Sequence, residues 1–313
     1  GYHRASMEAQ GDEGRPNAER DIAQQAATST VVGGPAASRV GATYDESAFF
    51  DEEGRLVFRC TPREPPRVTL VIASSLFAEF QRNYRREVLL ARAAAAAGLG
   101  AIRFHYRGVG NSVGEPITPN LDTMADDLAA IVSSVTTPST VIVATRIGAL
   151  AAVKLHDRFD LPLVLWEPVL DGTRWVEEVI RASMARHIAE GGAVTADSIR
   201  EGWQTGGDVF VLGETVPAGI LDEVATTRLL DGITSSSPIL VVQMGRHERV
   251  RPDIERALED LAQRGVPAEV LPVVARQVWW VNEGGDLFRP LETDESTNLI
   301  NQRVLGWVEK VTR

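Results

Sequence analysis

The stretch VIVATRIGALAA, residues 141–152, decides the fold. Val141, Ile142 and Val143 are β-branched, the composition of a buried strand, and Ile147, Leu150 and Ala151 follow at helical spacing with no turn cluster in between. A strand that runs straight into a helix places a strained residue at the corner and lifts its side chain above the sheet, the geometry of a nucleophile elbow. The usual pattern there is G-x-S-x-G. Here the five positions are Ala144, Thr145, Arg146, Ile147 and Gly148, so a guanidinium stands at the apex.

On either side of this corner the chain alternates strand and helix from residue 48 onward. RLVFRC (55–60), RVTLVIASS (67–75), AIRFHY (101–106), TVIVAT (140–145), LPLVLWEPV (161–169), PILVVQM (238–244) and AEVLPVV (268–274) read as strands. Amphipathic helices are expected over 82–97, 124–135, 147–159, 252–264 and 295–311. In the fourth of these, Ile254, Leu258 and Leu261 make one apolar stripe, Pro252 suits the first turn, and Gly265 suits the stop. Near-continuous apolar strands between helices imply a mostly parallel sheet covered on both faces, an α/β architecture. Between Gly172 and Gly232 the regularity breaks. The segment holds one good helix, 175–190, and is too long for an ordinary crossover, so it is expected to form a lid over the carboxyl ends of the strands, where ligand sites of open α/β sheets lie.

Bulk properties narrow the partners. The 313 residues, 44% hydrophobic, suffice for one large α/β domain. A net charge of −11 argues against nucleic acid and anionic membrane as principal partners, and no apolar run approaches the ~18 residues of a membrane span. The single cysteine, Cys60, cannot form an internal disulfide, which fits a reducing cytoplasm. Residues 1–47 are expected to be a flexible arm, rich in Ala, Gly, Ser, Gln and charge and open to docking on a partner protein; GYHRAS (1–6), ahead of Met7, reads as a cloning remnant. No H-x-x-x-H, cysteine pair or dense carboxylate cluster supports a metal, and RGVGNS lacks the register and distal acid of a dinucleotide fingerprint, so no cofactor is expected. Trp279 and Trp280, with Trp166 and Trp175, read as core and lid packing.

The order strand, ASSLFAEF loop, helix, strand, HYRGVGNS turn, helix, elbow strand, elbow helix resembles the α/β-hydrolase superfamily over nearly all of residues 48–313. SSLFAEFQRNYRRE, IRFHYRGVGNSVGE, TRIGALAA and LWEPVLDG are similar more specifically to the exosortase A system-associated hydrolases, in which an arginine also stands at the apex. The resemblance implies an α/β-hydrolase fold with a lid insertion over 172–232. It also implies a nucleophile, an acid and a histidine in that chain order. The acid belongs in the turn GRHERVRPD, where Glu248 matches best and Asp253 is its neighbour. The histidine belongs after the last strand, in RQVWWVNEGGDLFRPLE, which contains none; the last histidine of the chain is His247.

Arginine is neither a nucleophile nor a neutral base at accessible pH. At the head of a helix it can instead hold an anion, reinforced by the exposed N–H groups and the helix dipole. The expected anion or ligand site is therefore Arg146 with Ser74, Ser75, Leu76 and Ile147, taking a small anionic or acylated molecule. The same guanidinium could be neutralised internally by Glu167, Glu248 or Asp171; a buried arginine with no partner is excluded by its desolvation cost. Two functions follow: a pseudo-hydrolase that binds such a ligand or serves as a partner in a biosynthetic pathway, or a rewired enzyme of ester or thioester hydrolysis, acyl transfer, or a lyase or isomerase step, using displaced residues such as Ser75, His105 and Glu248. Ser112 is a further serine near the rim, while His187 is expected to face solvent.

Overall fold

The computed structural model describes residues 43–113, 117–189, 194–211, 213–275 and 295–313. Eight strands form one sheet in the order β1-β2-β4-β3-β5-β6-β9-β10. They are β1 (Tyr44–Phe50), β2 (Leu56–Pro62), β3 (Val68–Ala73), β4 (Gly100–Phe104), β5 (Ser139–Thr145), β6 (Leu163–Trp166), β9 (Ile239–Gly245) and β10 (Ala268–Val274). The pairs β1–β2 and β2–β4 are antiparallel, and every pairing from β4 through β10 is parallel. Strands β3, β4 and β6 are buried along their whole length, as strands covered on both faces must be.

Helices α1 (Phe77–Ala96), α2 (Leu121–Ser133), α3 (Gly148–Phe159), α7 (Pro252–Gln263) and α8 (Glu295–Val311) follow or link these strands. The step from β3 to β4 runs opposite to those from β4 to β5, β5 to β6 and β9 to β10. Right-handed crossovers therefore put α1 on one face and α2, α3 and α7 on the other. The observed packing agrees: α1 contacts α8, and α2 contacts α3. Local chemistry supports the ends. Asn120 and Thr123 form a reciprocal capping box at α2, and Pro252 opens α7.

Residues 172–232 leave the sheet between β6 and β9. They form α4 (Gly172–Ala189), α5 (Ala196–Gln204), a β7–β8 hairpin (Val209–Val211 with Glu214–Val216), α6 (Ala218–Ala225) and a 3-10 turn, Leu229–Gly232. The base of this insertion is closed by a bridge between Asp171 and Arg228 and by the Gly172 N–H donating to the Thr227 carbonyl. A Cβ at Gly172 would lie 1.6 Å from the Val224 carbonyl oxygen, so only glycine lets the two ends of the insertion meet.

Two expectations change. Residues 44–47, assigned to the arm, belong to β1, and the arm's remaining residues, 1–42, lie outside the described residues, as do Trp279 and Trp280. An antiparallel edge strand with no fully buried residue offers little apolar periodicity to read, and β1 is of this kind. The polar part of the insertion, in turn, is largely helical: Thr195 and Ser198 form a capping box that starts α5. Among the described residues, no helix is long and apolar enough to cross a membrane.

Candidate functional site

The corner between β5 and α3 is strained. Arg146 has φ +51° and Glu167, at the end of the adjacent β6, has φ +47°, both in the left-handed region that non-glycine residues avoid. The Arg146 N–H donates to the Trp166 carbonyl at 3.1 Å. Gly148 makes the corner possible: a Cβ there would stand 2.4 Å from the Ser74 carbonyl oxygen and 2.8 Å from that of Ala73. The first turn of α3 therefore lies directly against the loop after β3.

Arg146 is buried, and its side chain is fully engaged. Its Nε donates to Glu79 Oε1 at 2.7 Å, its Nη2 to Glu178 Oε2, and its Nη1 to the Glu167 carbonyl at 3.5 Å. Glu79, in the first turn of α1, is wholly buried; it also accepts from Ser75 Oγ at 2.6 Å and from Trp175 Nε1 at 3.2 Å. Glu178 comes from α4, so two acids from opposite sides of the corner clamp one guanidinium. Burial works against the Arg146 charge, but the Glu79 and Glu178 carboxylates outweigh it and hold its pKa above the ordinary arginine value.

Beside this pair sits a second one. The Glu167 carboxylate accepts from the Met244 N–H and from Arg251 Nη1, the latter at 2.9 Å. Gln243 ties the turn after β9 by accepting from the Arg251 N–H at 2.7 Å and donating to the Arg249 carbonyl at 2.9 Å. Burial pushes the Glu167 carboxyl upward against the pull of Arg251. Beneath the corner lies Glu87, also wholly buried; it accepts from Ser74 Oγ (2.5 Å), Asn83 Nδ2 (3.0 Å) and Thr145 Oγ1 (3.1 Å), and burial raises its pKa. The Tyr106 hydroxyl donates to the Ser74 carbonyl at 3.2 Å.

Above the corner opens a cleft of about 140 Å³. Its lining combines Arg146, Glu178, Arg174, Arg251 and Asp253 with the apolar Pro168, Val169, Leu170 and Trp175.

The expected residues fall as follows. Arg146 reaches the cleft, where Asp171 and Asp253 also lie, Asp253 bonded to Arg174 at 3.2 Å. Ser74, Ser75, Leu76 and Ile147 all converge on the corner but are buried, the two serine hydroxyls donating to Glu87 and Glu79. The Ser75, His105 and Glu248 grouping is not assembled. His105 is buried among Phe58, Phe80 and Tyr84, accepts at Nδ1 from the Asn111 N–H at 3.1 Å, and is depressed to about 4 by burial and by Arg103. Glu248 is exposed on the turn after β9. Loop polarity places Glu248 in water, while the strand-end position facing the corner goes to Glu167. Ser112 is structural, donating to the His105 carbonyl at 2.9 Å. His187 Nδ1 lies 2.9 Å from the Ser183 carbonyl on α4.

Glu79, Glu178, Glu87 and Arg251 are functional neighbours that the sequence reading misses. One signal was available. Glu79, Asn83 and Glu87 recur at intervals of four, a polar stripe on the face of α1 that turns toward the sheet.

Among the described residues at the corner, each serine and threonine hydroxyl named above is hydrogen-bonded. Its serines are donors to buried carboxylates, and its apex cation is committed to two acids. It offers hydrogen-bond donors and charge, the materials of binding.

No protein-family model matches the sequence, and no curated protein sequence matches it. Solved structures do resemble it. Est1E from Butyrivibrio proteoclasticus with bound ferulic acid is 14% identical, covers 85% of this chain and 99% of its own, and superposes with a TM-score of 0.55. A Pyrococcus furiosus esterase is 14% identical, with 87% and 92% covered and a TM-score of 0.55. Mouse alpha/beta hydrolase domain-containing protein 10 is 16% identical, with 85% and 99% covered and a TM-score of 0.53. The sheet order, the strand-to-helix corner and these superpositions together establish that the chain carries the α/β-hydrolase fold.

Proposed function

We propose that this protein is a non-hydrolytic member of the α/β-hydrolase fold, akin to the exosortase A system-associated hydrolases, whose cleft binds a small anionic or acylated molecule under a lid formed by residues 172–232. The observation that carries the reading is Arg146: at the strained apex, where the fold usually holds a nucleophile, its guanidinium is neutralised by Glu79 and Glu178. Acyl transfer by the usual route needs an oxygen or sulfur nucleophile and a neutral base beside it, and arginine is neither. The absence of any histidine after His247 removes the usual base from the sequence itself.

The test combines a fluorophosphonate probe with short-chain 4-nitrophenyl esters. The expected result is no labelling and no turnover above buffer. Labelling of Ser74, Ser75 or Ser112 together with turnover that disappears in Ser75→Ala would replace this reading with that of a rewired esterase.

A further inference from the structure

Arg146 is held by two carboxylates that differ in one physical respect. Glu79 is wholly buried and cannot leave its partner without stranding a charge. Glu178 has a side chain 38% exposed and can swing into water at little cost, Arg146 keeping Glu79 as its partner. Arg146 and Glu178, joined through Nη2, both line the cleft. Glu178 thus fills, within the chain itself, the place of a ligand carboxylate.

We propose that the cleft binds small monocarboxylic acids by exchange, the ligand carboxylate taking Arg146 Nη2 from Glu178 while the ligand body lies on the wall of Val169, Leu170 and Trp175. This deepens the function proposed above and rests on it. Exchange is favoured over addition because Arg146 is already neutralised, and a further anion beside Glu79 and Glu178 would be repelled. A monoanion is favoured over a phosphate dianion because Asp171 and Asp253 line the same cleft, and its other guanidiniums, Arg174 and Arg251, are already paired with Asp253 and Glu167. The size also fits: a cleft of about 140 Å³ is comparable with the ~150 Å³ cavity that accepts a benzene ring. Release of Glu178 also removes one tie between α4 and the corner, so ligand entry loosens the insertion that covers it.

The experiment is calorimetric titration of the full chain and of Glu178→Gln with benzoate, benzyl alcohol and inorganic phosphate. Because Glu178 is partly exposed, Glu178→Gln is expected to melt within a few degrees of wild type, and the melts are recorded alongside. Removing the competing charge is expected to tighten benzoate binding at least tenfold, with benzyl alcohol and phosphate binding more weakly than benzoate to both proteins. Unchanged or weaker benzoate binding in Glu178→Gln, preference for phosphate or benzyl alcohol, or no benzoate binding to either protein overturns the exchange. Ester turnover, assayed on the same preparations, strikes the non-hydrolytic reading instead, so the two failures are told apart.

Discussion

Replacing Arg146 by methionine keeps the length of the side chain and removes its charge. The structure then sets the cost. Arg146 and Glu79 have side chains 6% and 0% exposed, so removing one partner leaves a carboxylate in the interior, a loss of about 3–5 kcal/mol. The Glu178 contact, half in water, adds at most about 1 kcal/mol. In a chain of this size the total lowers Tm by on the order of 10 °C. The double substitution Arg146→Met with Glu79→Gln removes both charges of this buried pair and should recover most of the loss, since apolar or neutral replacement of both partners is close to neutral. The deficit should also depend on pH. Burial raises the Glu79 carboxyl, so the native state holds that proton more tightly than the unfolded chain does. Loss of Arg146 takes away the charge that lowers this carboxyl, so the variant gains more stability than wild type as pH falls, and the Arg146→Met deficit narrows from pH 8 toward pH 5. Urea unfolding at both pH values measures this. A single variant within about 1 kcal/mol of wild type at pH 8, or a double variant weaker than the single, would refute the assignment of Glu79 as the buried partner.

Gly148→Ala forces a Cβ to within 2.4 Å of the Ser74 carbonyl oxygen, so backbone must move, and a loss of about 1–3 kcal/mol is expected in thermal melts; an unchanged Tm would contradict the close packing at the corner. His105 is neutral in the native state down to about pH 4 while the unfolded chain takes the proton near 6.5, so wild type should lose about 3 kcal/mol relative to His105→Phe as pH falls across that interval. Parallel pH–stability curves for the two proteins would show that His105 is not shielded as described.

The corner and the parallel strands are legible in the sequence because each rests on a run of apolar residues with a clear period. What fails is polar. Glu79 lies in a stretch that reads as loop, because α1 begins after Leu76, which offers no capping side chain, and its first residue, Phe77, has φ +54°. The amphipathic rule then misleads further, since the face of α1 toward the sheet buries Glu79, Asn83, Arg86 and Glu87. Glu178 looks like one of two adjacent acids on a solvated helix, and only the fold of the insertion brings it over Arg146. Asp171 and Glu248, the acids nearest in motif space, meet Arg228 and water instead. Sequence spacing finds a charge that needs neutralising; which acid does so depends on separations of 67 and 32 residues.

Helix α1 is attached to the body of the protein in two different ways along its length. Its first half is fixed by the carboxylates and amide of Glu79, Asn83 and Glu87, its second half by Leu90, Ala91, Ala94 and Ala95. Apolar anchorage weakens on cooling because its driving force is entropic near room temperature, whereas hydrogen-bonded anchorage does not follow that trend. The two halves of one helix should therefore exchange their amide hydrogens with opposite temperature sensitivity. In the cold, the end next to the corner becomes the relatively firmer one, while the far end of the helix begins to breathe.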